Sequence, residues 1–132
     1  MRYLLDTHLL LWVADDSPRL PIAVRQIVLS PENELWFSAA SIWEIVVKHR
    51  LGKLDVDARV LRGELVSKEY RPMDITPDDA IEVSSLEGGA HKDPFDRMLI
   101  AQSRTRRMTF LTSDQRLAEA YPDAPVELHL HQ

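Results

Sequence analysis

Short apolar runs recur along this chain, among them Tyr3-Leu4-Leu5, Leu35-Trp36-Phe37 and Phe110-Leu111, and helix-patterned stretches separate them. A strand followed by a helix cannot turn straight back into a hairpin. It reaches its neighbour through a right-handed crossover and pairs parallel to it. Helices then cover both faces of the sheet, which suits strands that are apolar without alternation. The sequence therefore predicts an α/β fold, a three-layer α/β/α sandwich around a parallel sheet of about five strands. Predicted strands are 2–5, 35–38, 71–75, 109–111 and 126–129. Predicted helices are 8–14, 21–29, 41–50, 57–69, 78–85, 94–106 and 114–120, with Gly52 closing the third as a C-terminal cap would.

At 132 residues the chain is expected to be one domain over 1–132, without repeat or linker, and large enough to bury a core. Hydrophobic residues make up 45% and charged residues 28%, which excludes a disordered chain. There is no cysteine, so any metal would be held by oxygen or imidazole, and the same absence fits a reducing cytoplasm. The amino terminus carries no signal-peptide pattern. Its longest apolar run, 9–14, is too short to cross a bilayer, so no membrane association is expected. The net charge of −5 is opposite to that of the usual nucleic-acid binder. Basic clusters run against that total: Lys48, Arg50 and Lys53 after one helix, and Arg104, Arg106 and Arg107 at the end of another. Screening confines each patch to about 8–10 Å, so a basic patch can sit on an acidic protein.

Four acids stand where a parallel sheet keeps its ligands. Asp6 ends the first predicted strand, and Glu44 lies in the first turn of the helix after the second. Asp96 lies in the first turn of the helix before the fourth strand, and Asp114 follows that strand. Strand C-termini and helix N-termini share one edge of such a sheet, and ligands bind there. Each acid also has a helix-capping reading. Asp6 and Asp114 occupy N-cap positions, and Ser41-Ile-Trp-Glu44 spells a capping box. Asp93-Pro94-Phe95-Asp96 reads as an N-cap, a first helical residue and an acid facing the dipole. Capping needs acids at helix starts; it does not need four on one edge, where as anions they repel and shift each other's pKa values. A divalent cation with oxygen ligands removes that conflict. Mg²⁺ or Mn²⁺ held by carboxylates suits phosphodiester hydrolysis, by polarising a phosphoryl oxygen and lowering the pKa of a bound water. One ion or two would satisfy the pattern.

Four blocks carry a family likeness: Tyr3-Leu-Leu-Asp-Thr-His-Leu-Leu-Leu-Trp12, Ser38-Ala-Ala-Ser-Ile-Trp-Glu-Ile45, Asp93-Pro-Phe-Asp-Arg-Met-Leu-Ile-Ala-Gln102 and Leu111-Thr-Ser-Asp114. In this order they resemble the PIN domain family, and more narrowly the VapC toxins of type II toxin–antitoxin pairs. The resemblance covers nearly the whole chain. It implies a five-stranded parallel sheet, Mg²⁺- or Mn²⁺-dependent endoribonuclease activity on RNA, a homodimer, and a cognate VapB-like antitoxin that blocks the site. By motif match it places the catalytic, metal-binding acids on Asp6, Glu44, Asp96 and Asp114. Thr112 matches a supporting hydroxyl, and Asp93 belongs to an extended His91-Lys-Asp-Pro-Phe-Asp96 motif.

Arg97 is expected to pair with a carboxylate or to bind substrate phosphate. His8 reads as an exposed helix-start residue that can reach the site edge, and His91 as either a phosphate contact or a solvated loop residue. His129 and His131 would share one face of a terminal strand. Trp12, Trp36 and Trp43 read as core or dimer contacts. Three other functions compete. An aspartyl-phosphate phosphatase built on Asp6 would want a second acid at position 8, which is His8; a phospho-receiver domain would want a late lysine, and the last is Lys92. The third is an inert PIN-like module that only binds RNA or protein, and the complete set of acids speaks against it.

Overall fold

A computed structural model describes residues 1–87 and 92–130. Among these, β1 (Arg2–Leu5), β2 (Glu34–Ser38), β3 (Arg71–Met73), β4 (Thr109–Thr112) and β5 (Val126–Leu128) form one sheet. All pairings are parallel, and the order is β3-β2-β1-β4-β5. The helices between them are α1 (Thr7–Ala14), α2 (Ile22–Leu29), α3 (Ala39–Arg50), α4 (Ala58–Ser67), α5 (Pro77–Val83), α6 (Pro94–Thr105) and α7 (Gln115–Ala120). The α/β/α sandwich expected from the sequence is the architecture observed. No helix among the described residues is long and apolar enough to cross a membrane.

Alternation along the strands divides the core in two. Tyr3, Leu5, Leu35, Phe37 and Leu111 face one layer, where Leu9 and Leu10 of α1, Val24 of α2, and Leu61 and Leu65 of α4 pack. Leu4 and Phe110 face the other, against Leu99 and Ile100 of α6 and Leu117 of α7. Leu4 and Phe110 are fully buried, and each such side chain stabilises the fold by roughly 1.5–3 kcal/mol.

The chain lays β2 and β3 on one side of β1, then β4 and β5 on the other. The direction of winding thus reverses between β1 and β4, and a crevice opens at such a reversal at the strand C-termini. The pairing of Leu5 with Leu111 sets Asp6 beside Thr112 there.

Several helix ends differ from expectation by one or two residues. Helix α3 begins at Ala39, because the Ser38 hydroxyl accepts from the Ala40 amide at 2.9 Å and caps it. Ser41 and Glu44 therefore lie inside the helix, and the expected capping box between them does not exist. A reciprocal box forms instead between Thr76 and Asp79 at α5. Helix α4 stops at Ser67, ahead of Glu69 at φ +68°, a left-handed conformation that no helix interior accepts. Gly52 does follow the C-cap of α3 at φ +71°, as a glycine there should.

Candidate active site

Asp6 is held by the sheet. Its amide donates to Leu111 O at 2.9 Å, which carries the β1–β4 ladder one step past the strand. The side chain occupies the N-cap position of α1 yet makes no capping bond. It is buried, at 3% exposure, and accepts from Thr112 Oγ1 at 2.7 Å on Oδ2. Thr112 Oγ1 in turn accepts from the Asp114 amide at 3.0 Å. Burial pushes the Asp6 carboxyl above its ordinary pKa. The Thr112 hydrogen bond, nearby His8 and the Thr7 backbone oppose that rise, and the charge of Asp114 adds to it. The expected supporting hydroxyl is thus in contact with the first acid.

Glu44 comes from the second turn of α3, not the first, and is also buried. Thr7 Oγ1 lies 2.8 Å from both Glu44 Oε1 and Ser41 Oγ. One hydroxyl carries one proton, so with Thr7 donating to the carboxylate, Ser41 is left to donate to Thr7. The other carboxylate oxygen, Oε2, pairs with Lys48 Nζ at 2.5 Å.

Asp93 caps α6 as the sequence suggests. Its Oδ1 accepts from the Phe95 and Asp96 amides at 2.9 and 3.0 Å, with Pro94 first in the helix. Asp96 is half-buried in the first turn. Asp114 Oδ1 accepts from the Leu117 amide at 3.2 Å, so its capping reading also holds. The cap residue Asp93 and Asp96 lie near enough to Lys48 for their charges to act on it beside that of Glu44. Burial disfavours the ammonium, but the bond to Glu44 and the charges of Glu44, Asp93 and Asp96 outweigh it and raise the lysine pKa.

Arg97 is committed elsewhere. Its Nη2 donates to Val83 O and Leu86 O at 3.2 Å each, and its Nη1 to the Tyr121 hydroxyl at 3.4 Å. It ties α6 to the end of α5 in place of the expected carboxylate or phosphate. The basic clusters are also partly spent inside the molecule: Lys48 on Glu44, and Arg106 on Asp79 and the Asp74 carbonyl. Trp12 is half-buried against the core. Trp36 donates to Glu34 and lies under the Arg71 guanidinium. Trp43 is not a core residue: it is 59% exposed and meets Phe95 edge-on. His8 is exposed beside Trp12, and His129 pairs with Glu127 at 2.8 Å. His91 and His131 lie outside the described residues. Thr7, Ser41 and Lys48 were not singled out for the site by sequence. Their signals were a hydroxyl directly after the strand-ending acid and a lysine four residues after Glu44.

Among the described residues no three acidic or histidine side chains form a ready metal cluster. The donors are nonetheless those of a hard cation: carboxylate and hydroxyl oxygens, without sulfur. One of them, Glu44, already holds a cation in the form of the Lys48 ammonium. In chemical type these donors are the ones that Mg²⁺ and Mn²⁺ take.

Comparison with curated proteins finds no match. Among solved structures the chain is similar to VapBC from Salmonella typhimurium bound to DNA, with TM-score 0.71, 18% identity, and 96% of this chain and 97% of that one covered. It is similar to VapBC2 from Rickettsia felis bound to a promoter DNA fragment, at TM-score 0.70 and 12% identity over 97% and 98%. It also resembles VapBC-5 of Mycobacterium tuberculosis, at TM-score 0.62 and 19% identity over 98% of each chain. Identities this low establish the shared fold. The family model of the PIN domain matches residues 3–121, from the first strand through the last helix and across every acid of the site, and the chain belongs to that family.

Proposed function

We propose that this protein is a VapC-like toxin, an endoribonuclease that hydrolyses RNA with Mg²⁺ or Mn²⁺. The observation that carries the reading is Asp6. It is a buried carboxylate at the crevice between β1 and β4, bonded to Thr112 and lacking the capping bond that would explain it structurally. Asp6, Glu44, Asp96 and Asp114 are the residues that would hold the ion. When bound, a divalent cation would polarise the phosphoryl oxygen and make hydroxide available near neutral pH. The chain's own part is orientation. Thr112 fixes one oxygen of Asp6, Thr7 fixes one oxygen of Glu44, and the Asp93 cap sets the first turn of α6 that carries Asp96.

The printed names of the similar structures, toxin–antitoxin complexes among them, support a VapB-like antitoxin as partner. Exposed Trp43, Val46 and Leu51 on and just after α3 support an apolar self-contact and hence a homodimer. The test is cleavage of RNA by the purified protein with Mn²⁺, and again with EDTA. Attack by water leaves 5′-phosphate and 3′-hydroxyl ends. Products with 2′,3′-cyclic phosphate, or cleavage that persists in EDTA, would sink the mechanism. RNA binding without cleavage would favour the inert module.

A further inference from the structure

Lys48 has no role in the reading above. It stands at i+4 from Glu44 on α3, with its ammonium 2.5 Å from Glu44 Oε2 and its side chain 36% exposed. Most pairs of this spacing join two solvated groups and contribute little. Here the carboxylate is buried, and its other oxygen is taken by Thr7. The ammonium is thus the counter-charge of a carboxylate that water does not reach. Asp93 and Asp96, across at the start of α6, are near enough for their charges to act on it as well. The acid it pairs with, Glu44, is itself a proposed metal ligand.

We propose that Lys48 is the site's own counter-cation: its ammonium neutralises Glu44 in the metal-free protein and gives Glu44 up to an incoming divalent ion. The inference rests on the metal-site reading above. A divalent ion binding Glu44 beside the ammonium would be repelled by it, so metal entry favours the ammonium's withdrawal. Lysine suits that exchange. Its charge is compact, its four-carbon stem is flexible, and its partial exposure gives it solvent to withdraw into. Two effects follow: acid–acid repulsion is relieved without metal, and metal affinity is held below what the carboxylates alone would give.

Lys48→Gln and Lys48→Met remove the charge and keep most of the stem, whereas Lys48→Arg keeps the charge. Mn²⁺ binding is measured directly by calorimetry, without RNA, and melting temperature is measured in EDTA. Both neutral variants should bind Mn²⁺ about 3–5-fold more tightly than wild type, the size expected of a partly exposed ion pair. They should also melt lower in EDTA, while Lys48→Arg stays near wild type in both. The methionine variant, whose stem packs most like lysine, decides if the glutamine variant does not fold. Unchanged or weaker Mn²⁺ binding in the neutral variants, with wild type binding normally, overturns the counter-cation role alone. Wild-type protein that binds no Mn²⁺ overturns the metal-site reading and this role with it.

Discussion

Asp6→Asn should stabilise the metal-free protein and abolish its response to metal. Asp6 is 3% exposed: Thr112 donates to one oxygen and the Thr7 backbone also favours the charge, but the side chain makes no capping bond to α1. Burial raises its pKa in the folded protein, and Asp114 adds to the rise against Thr112 and His8. A folded-state pKa above the unfolded value of 3.8 means that the folded protein holds the proton more tightly. Stability is therefore lost as pH rises from about 4 through the folded pKa. Asparagine keeps the shape and can still accept from Thr112. It also replaces an anionic oxygen with a donor that Asp114 attracts. Relief of this kind at a functional site is on the order of 1–2 kcal/mol, or about 3–8 °C in melting temperature for a chain of this size. Melts in EDTA from about pH 4 upward should show the variant above wild type, with the gap widening until pH passes the folded pKa of Asp6. Saturating Mn²⁺ should reverse the order, because only wild type gains the ligand's stabilisation. An Asp6→Asn protein that melts below wild type in EDTA at the alkaline end would refute the reasoning, since the charge would then be well compensated.

The Tyr70 hydroxyl is buried without a hydrogen-bond partner among the described residues. Tyr70→Phe should therefore gain about 1 kcal/mol, and a lowered urea midpoint would contradict this. Asp79 is buried, which alone would raise its pKa, but hydrogen bonds from Arg106, the Thr76 amide, Gln102 and Thr105 hold it well below the carboxylate range. Its contribution is thus present above the unfolded pKa of 3.8 and lost as pH falls below it. Asp79→Ala should cost about 3 kcal/mol near neutrality and flatten the acid limb of the stability curve, and an acid limb as steep as wild type would count against the assignment. Asp96→Asn should lose at least ~10²-fold in RNA cleavage at saturating Mn²⁺. Asp93→Asn, still a competent cap, should stay within about 1 kcal/mol of wild-type stability and keep far more activity; the reverse ranking would exchange their roles.

The fold was legible because the pattern that encodes it is local. Apolar strands separated by helices leave a parallel sheet as the available solution, and strand positions such as Leu4 and Phe110 are apolar because both faces of that sheet are covered. Helix starts were less legible. Ser38 and Ser41 both precede α3 residues with capping potential, and only the backbone turn after β2 selects Ser38. Side-chain partnerships distant in sequence were not legible at all. Gln102 accepts from the Ser38 hydroxyl and donates to Asp79 and to the Asp74 carbonyl, so one amide links the α3 cap to α5. Nothing near residue 102 in the sequence announces this. Arg97 is the same case: its partners lie 11 and 14 residues back and 24 ahead.

The four acids are not equal evidence for a site. Asp114 and Asp93 each bond the amides of their own helices, and a protein with no chemistry would still benefit from both. Setting the capping acids aside leaves Asp96, half-buried in the first turn of α6, together with Asp6 and Glu44, which cap nothing. Asp6 and Glu44 are buried, which costs stability for a charged group unless something compensates. Their compensation comes from hydroxyls, Thr112 and Thr7, and from one lysine. Hydrophobic residues in the same places would avoid that cost, as they do one strand position earlier at Leu5. Two buried carboxylates at the C-terminal edge of the sheet, one unexplained by capping and the other paired with a partly exposed lysine, are costs that the proposed cation would explain. That asymmetry between capping and non-capping acids makes Asp6 and Glu44 the residues on which the metal-site reading stands.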